Sequence, residues 1–159
     1  STHQYVSLSS EIESLRNYIE IEQLRFKNKF DYEIEDLTDD ADFIGIPPML
    51  IQPFVENSIL HGIKNKVGKG HIKLSYSISD DDILTCTVLD DGIGRRAATK
   101  STHDSDKNKH NSLATTLIEQ RVELFKKKQG ADITLVITDI EDKERTGTLV
   151  EVKIPSKNI

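Results

Sequence analysis

Between residues 8 and 28, apolar side chains recur at Leu8, Ile12, Leu15 and Ile19, with Tyr18 and Phe26 beside them and charged residues in the gaps. Spacing of three to four predicts an amphipathic helix, and Ser10 with Glu13 fits a capping box near its start. Residues 30–36 switch to alternation, the mark of a short strand. An acidic turn, 39–42, and the pair Pro47-Pro48 hold off regular structure until a second helix opens. Ile51, Phe54, Val55 and Ile59 form its apolar stripe. Pro53 removes a backbone donor, so a kink or an early first turn is expected, and Gly62 is expected to mark the end.

Residues 71–78 and 83–89 read as two strands of a hairpin closed by Ser79-Asp80-Asp81-Asp82. Residues 95–111 hold almost no large apolar side chain and predict a mobile loop. Helical spacing returns at Leu113, Leu117, Ile118, Val122 and Phe125, with Lys126 to Lys128 complementing the helix dipole and Gly130 just beyond. Strands 133–138 and 148–154 close the chain around a charged loop, 141–146. This order predicts an α/β fold: a layered sandwich with helices on one face of a mixed or antiparallel sheet.

At 159 residues the chain is long enough for one domain with a sizeable core. A net charge of −6 argues against a nucleic-acid partner, which would be gripped mainly by lysine and arginine. The apolar stretches are too interrupted to span a bilayer. The start, STHQYVSLSSE, has neither a basic-then-apolar leader nor a methionine, so a piece of a longer protein is expected. The single cysteine, Cys86, lies in an alternating apolar strand and reads as a buried structural thiol, which fits a reducing compartment.

The chemistry concentrates in two segments. Pro48 to Gly62, PMLIQPFVENSILHG, sets Glu56, Asn57 and His61 on the polar side of one short, otherwise apolar helix. Asp90-Asp91-Gly92-Ile93-Gly94 ends an apolar strand with an acid and two glycines. Asn57 offers a neutral carbonyl oxygen. That suffices for magnesium when phosphates supply the negative charge. Glu56 can orient or deprotonate an attacking group. The Asp90 carboxylate can accept from the exocyclic amine of adenine, where guanine would present a carbonyl. Gly92 and Gly94 let backbone turn close against a flat ligand. Either segment alone reads more simply as a wet helix face or a glycine turn; together they point to an ATP site.

These segments resemble the N box and first glycine box of the GHKL ATPase superfamily, which includes histidine kinases. The run PPMLIQPFVENSILHGI is similar to the ATPase domain of the LytS/YehU-like sensor histidine kinases, and Leu8, Glu11, Tyr18, Ile19, Glu22 and Arg25-Phe26 to the segment preceding it. The resemblance implies a two-layer Bergerat-type sandwich, with residues 1–28 as an extra N-terminal helix linking from a phosphoacceptor region and 29–159 as the ATP-binding catalytic domain. It implies that Asn57 binds magnesium, Glu56 assists phosphoryl transfer and Asp90 reads adenine, with Gly92 and Gly94 shaping the pocket. Thr148, after Gly147, would lie near the adenine, and residues 95–111 would be the lid over the phosphates.

Two departures stand out. Many relatives carry a basic residue three after the asparagine, where this chain has Leu60; His61 or Lys64 is left to supply charge. The second glycine box is absent, with no glycine between Gly94 and Gly130, so the amides at Ser112 and Leu113 would have to cradle phosphate. The phosphoacceptor histidine is expected upstream, in a homodimer, with a response regulator as the downstream partner. The parent would be anchored in the inner membrane with this part on the cytoplasmic side. His71, His103 and His110 read as surface or lid residues. A non-catalytic nucleotide-sensing or dimer-interaction domain of the same fold is the alternative to an active kinase domain.

Overall fold

The computed structural model describes residues 4–94, 120, 123, 124, 127 and 132–159. Strand β1 (Val6–Ser7) runs straight into helix α1 (Leu8–Arg25). The helix is capped one turn earlier than Ser10 and Glu13 suggest. Ser7, in extended conformation, accepts from the Ser10 amide at 3.1 Å, so Ser10 lies inside the first turn. Helix α1 stops at Arg25 because Lys27 and Asn28 turn left-handed, with φ of 55° and 57°.

Strand β2 (Phe30–Asp36) follows as expected. Strand β3 (Ile44–Ile46) was hidden by the prolines that follow it. Helix α2 (Gln52–Asn57) takes Pro53 in its first turn, where the missing donor costs nothing. From Ser58 to Ile63 the helix widens to π geometry, and the Lys64 amide reaches back five residues to Ile59 at 3.0 Å. Gly62 therefore lies within the helical run and does not end it. Strands β4 (Gly70–Ile78) and β5 (Ile83–Asp90) form the expected hairpin. Strands β6 (Thr134–Glu141) and β7 (Thr146–Pro155) are longer than their apolar cores suggest, which shortens the loop between them to 142–145. A two-residue strand, β8 (Lys157–Asn158), completes the described elements.

Among the described residues the main sheet has five strands in the order β2-β4-β5-β7-β6; β2 and β4 are parallel and the other neighbours antiparallel. Strands β1, β3 and β8 make a small second sheet. Alternation decides which side of the main sheet is covered. Ile72, Leu74 and Tyr76 on β4, Leu84, Cys86 and Val88 on β5, and Val150, Val152 and Ile154 on β7 are all buried. They meet Leu8, Leu15 and Ile19 of α1 and Ile51, Phe54, Val55, Ile59 and Ile63 of the second helical run in one core. Each fully buried aliphatic side chain of this kind contributes about 1.5–3 kcal/mol. The opposite face carries His71, Lys73, Thr85, Leu89 and Lys153 at partial or full exposure. The result is the expected two-layer α/β sandwich on a mixed sheet. Burial pushes the Cys86 thiol up to about 12, as befits an unreactive core cysteine.

The residues expected to form the lid (95–111) and most of the following helix, including Ser112, Leu113 and Gly130, lie outside the described residues. At 120, 123, 124 and 127 the chain is helical, within the span where a helix is expected.

Candidate functional site

Strand register sorts the two acids of the Asp90-Asp91 pair. Positions 84, 86, 88 and 90 of β5 share the core face, so the Asp90 side chain points under the helices and is only 4% exposed. Its neighbour turns the other way. Asp91 accepts from the His71 amide at 2.7 Å and pairs with Lys66 at 3.1 Å, which fastens the end of β5 to β4.

A buried carboxylate must be matched by donors. Asp90 Oδ2 accepts from the Ser58 hydroxyl at 2.8 Å, and Oδ1 accepts from the Gly92 amide at 2.9 Å. Burial nevertheless raises the Asp90 pKa; the Gly92, Ser58 and Thr148 donors pull against it, while the charge of Asp91 adds to the rise. The sequence reading missed Ser58. Its signal is a lone small hydroxyl on the buried side of an apolar helix, directly after Asn57.

Glycine at three positions lets backbones meet around this carboxylate. A Cβ on Gly92 would stand 2.4 Å from the Cα and carbonyl carbon of Gly62, and one on Gly147 would stand 2.1 Å from the Asp90 carbonyl oxygen. A Cβ on Gly62 itself would meet Asp90 Oδ1 at 3.0 Å. The Ile93 amide donates to the Gly62 carbonyl at 3.1 Å, and the Thr146 hydroxyl donates to the Gly92 carbonyl at 2.6 Å. The turn after β5 is thus clamped between the π-helical segment and the start of β7. Gly94, with φ of +84°, needs glycine for its conformation. Gly62 and Thr146 were not singled out for the site by sequence, since the contact that gives them meaning joins segments far apart in the chain.

The polar helix residues sit beside this clamp. Glu56 and Asn57 close α2 and are half-buried; Glu56 Oε1 accepts from Gln52 Nε2 at 3.2 Å. Because the helix widens immediately after Asn57, His61 leaves the simple four-residue stacking on Asn57 that an α-helix would give. Burial lowers the His61 pKa, with Lys64 adding to the fall. Both effects disfavour the charged imidazole and so weaken His61 as a source of positive charge for phosphate. Lys64, at the end of the π turn, remains exposed. Thr148 stands opposite Asp90 across the β5–β7 ladder. His71 is exposed beside Asp31, as a surface histidine would be.

The structure therefore gathers Asp90, Gly92, Gly94 and Thr148 at one end of the sheet, next to the helical run of Glu56, Asn57 and His61. Ser112 and Leu113 lie outside the described residues. The arrangement fits the adenine half of a nucleotide: a buried, pre-oriented carboxylate that can accept from an amine, under glycine backbone. Among the described residues no group of three or more His, Cys, Asp or Glu could hold a metal ion. A magnesium ion here would need the oxygens of a triphosphate besides the Asn57 amide. A cleft of about 310 Å³ has Asp31, Glu33, His71, Lys73 and Leu89 in its wall and reaches the candidate site at Asp90 and Thr146, whereas Glu56, Asn57 and His61 do not line it.

No protein-family model matches the chain. The sensor protein LytS of Oceanobacillus iheyensis is 31% identical over 165 residues, covering 99% of this chain and 26% of LytS. The chain thus spans about a quarter of that relative. Among solved structures, the mycobacterial sensor histidine kinase MprB superposes with a TM-score of 0.63 at 15% identity, covering 99% of this chain and 100% of the solved chain. The nucleotide-free catalytic domain of histidine kinase ThkA gives 0.60 at 14% identity, covering 96% of each chain. These two likenesses carry the fold; similarity to LytS carries the family. Along nearly its whole length the chain is similar to LytS-like sensor histidine kinases, consistent with a GHKL-type domain of that group.

Proposed function

We propose that this chain is the ATP-binding catalytic domain of a sensor histidine kinase, and that residues 29–159 carry the site while 1–28 link it to an upstream phosphoacceptor region. The observation that carries the reading is the buried Asp90 carboxylate, held by Ser58 and Gly92 and bordered by the glycine clamp. A carboxylate so costly to bury is worth keeping where a ligand donor completes its shell, and the amine of adenine is such a donor.

In this reading Asp90 selects adenine, with Thr148 beside it and Gly92 and Gly94 leaving room for the ring. Asn57 contributes an amide oxygen toward magnesium, which, when bound, neutralises phosphate charge. Glu56, one residue before Asn57 on α2, receives the proton of the attacking histidine ring or orients that ring. Lys64, together with amides at Ser112 and Leu113, would steady the phosphates. The acceptor histidine belongs to the rest of the protein, in a homodimer, and a response regulator takes the phosphoryl group onward. No helix among the described residues is long and apolar enough to cross a membrane; the proposed anchor in the inner membrane lies elsewhere in the parent, with this domain on the cytoplasmic side.

A second reading, a nucleotide-sensing or dimer-interaction domain without catalysis, is favoured by Leu60 in place of a basic residue and by the glycine-free stretch 95–129. The test is transfer of label from radiolabelled ATP. The chain alone should stay unlabelled, while the longer protein containing the acceptor region should gain acid-labile, base-stable phosphate that Glu56→Gln reduces at least tenfold. A longer protein that binds ATP and gains no label supports the second reading.

A further inference from the structure

Glu11 lies on the packing face of α1, in line with Leu8, Leu15 and Ile19, and is only 6% exposed. A carboxylate is a poor core residue unless something requires its charge or its oxygens. Its described hydrogen bond is long-range: Oε1 accepts from the backbone amide of Met49 at 2.9 Å, across 38 residues. Burial raises the Glu11 pKa and this bond pulls it back down.

Met49 is an unusual place to anchor. Its φ is +61°, a left-handed conformation that methionine rarely adopts, and the residue is 46% exposed, so core packing does not hold it. The turn it forms, directly after Pro47-Pro48, launches α2. That helix is six residues long, and its N-cap, Ile51, makes no side-chain capping bond. The entry angle of α2 is thus set upstream of the helix, at the turn Glu11 grips. Further along α1, Tyr18 is pushed up to about 12 by burial and by the negative charges of Glu22 and Glu56, so α1 also runs near the end of α2.

We infer that Glu11 is a positioning residue: by holding the Met49 amide it fixes the turn that launches α2, and so ties the placement of Glu56 and Asn57 to the seating of α1. The inference rests on the proposed ATP site for its functional meaning. Displacement of α1 would release Met49 to relax from its left-handed conformation and swing the first turn of α2, while the Asp90 side of the site, on β5 and β7, stays in place. The N-terminal helix thereby gains a means of adjusting the metal-binding half of the site without touching the adenine half.

Two variants separate the bond from the packing. Glu11→Leu keeps the buried volume and removes the acceptor; Glu11→Gln keeps an oxygen for the Met49 amide. Without nucleotide, Glu11→Leu should speed hydrogen exchange of residues 49–57 at least tenfold and leave β4 and β5 unchanged, and Glu11→Gln should restore protection. In calorimetry, Glu11→Leu should cut the magnesium-dependent gain in ATP affinity about fivefold, with adenosine affinity within twofold of the parent chain and Glu11→Gln near parental. Unchanged exchange at 49–57 in Glu11→Leu overturns the inference, as does an equal fractional loss for adenosine and magnesium-ATP. A parent chain that binds no ATP contradicts the proposed function instead, and the exchange comparison still decides whether Glu11 holds the turn.

Discussion

The Ser58 hydroxyl donates to the buried Asp90 carboxylate at 2.8 Å, joining the helix that carries Asn57 to the strand end that would read adenine. It is a side-chain link between the two halves of the candidate site, and it opposes the desolvation that raises the Asp90 pKa. A hydrogen bond to a charged group is worth about 1.5–3 kcal/mol. Ser58→Ala should therefore raise the Asp90 pKa further and weaken ATP and ADP binding about tenfold, in equal proportion. Titration calorimetry with both nucleotides checks this; a loss confined to ATP would place Ser58 on the phosphate side.

Asp90 should cost the fold stability at neutral pH. Its folded pKa is raised, so its contribution is fully present below the ordinary aspartate value of about 4 and is lost as pH rises through the folded pKa. Asp90→Asn removes that loss and can keep both bonds, since its amide oxygen accepts from the Gly92 amide and its NH₂ donates to the Ser58 oxygen. Thermal melts should show the variant as stable as the parent or more so at pH 7, with the difference vanishing below about pH 4. The same variant should bind ATP and ADP at least tenfold more weakly and discriminate less against GTP. A variant that is destabilised at pH 7 yet still prefers adenine would contradict the assignment.

Gly92 is held by contact with backbone. Gly92→Ala would set a methyl group 2.4 Å from the Gly62 Cα, and no side chain can swing aside to relieve it. Overpacking of this kind costs about 1–3 kcal/mol or more. The melting temperature should fall and nucleotide binding should be lost, whereas Gly68→Ala, at a site with open space though a left-handed φ, should leave nucleotide binding intact. Equal nucleotide affinity in Gly92→Ala and the parent would show that the turn can move away from the helix.

Much of this was legible in the chain because it is written in periodicity. The alternation of β4 and β5, the stripe of Ile51, Phe54, Val55 and Ile59, and the buried Cys86 follow from side-chain spacing alone, and the paired motifs at Asn57 and Asp90 gave the family. The cap at Ser7 was masked by its near neighbour Ser10, which with Glu13 offers the same local pattern, while the π widening after Asn57 and the short strand at 44–46 depend on partners distant in sequence: Asp90 and Gly92 press on the helix at Gly62, and β3 pairs with β1 and β8. Ser58 and Glu11 escaped for the same reason. Their roles lie in single long-range hydrogen bonds, which leave no periodic trace.

The central claim is that Asp90 and Asn57 divide an ATP site between base and metal, and one calorimetric series tests it most directly: ATP, ADP and GTP, each with and without magnesium, on the parent chain and on Asn57→Ala. The account predicts that ATP and ADP bind with similar affinity, that GTP binds at least tenfold more weakly, and that magnesium strengthens ATP binding in the parent but not in Asn57→Ala. No heat with ATP, equal affinity for GTP, or an undiminished magnesium effect in Asn57→Ala would contradict it.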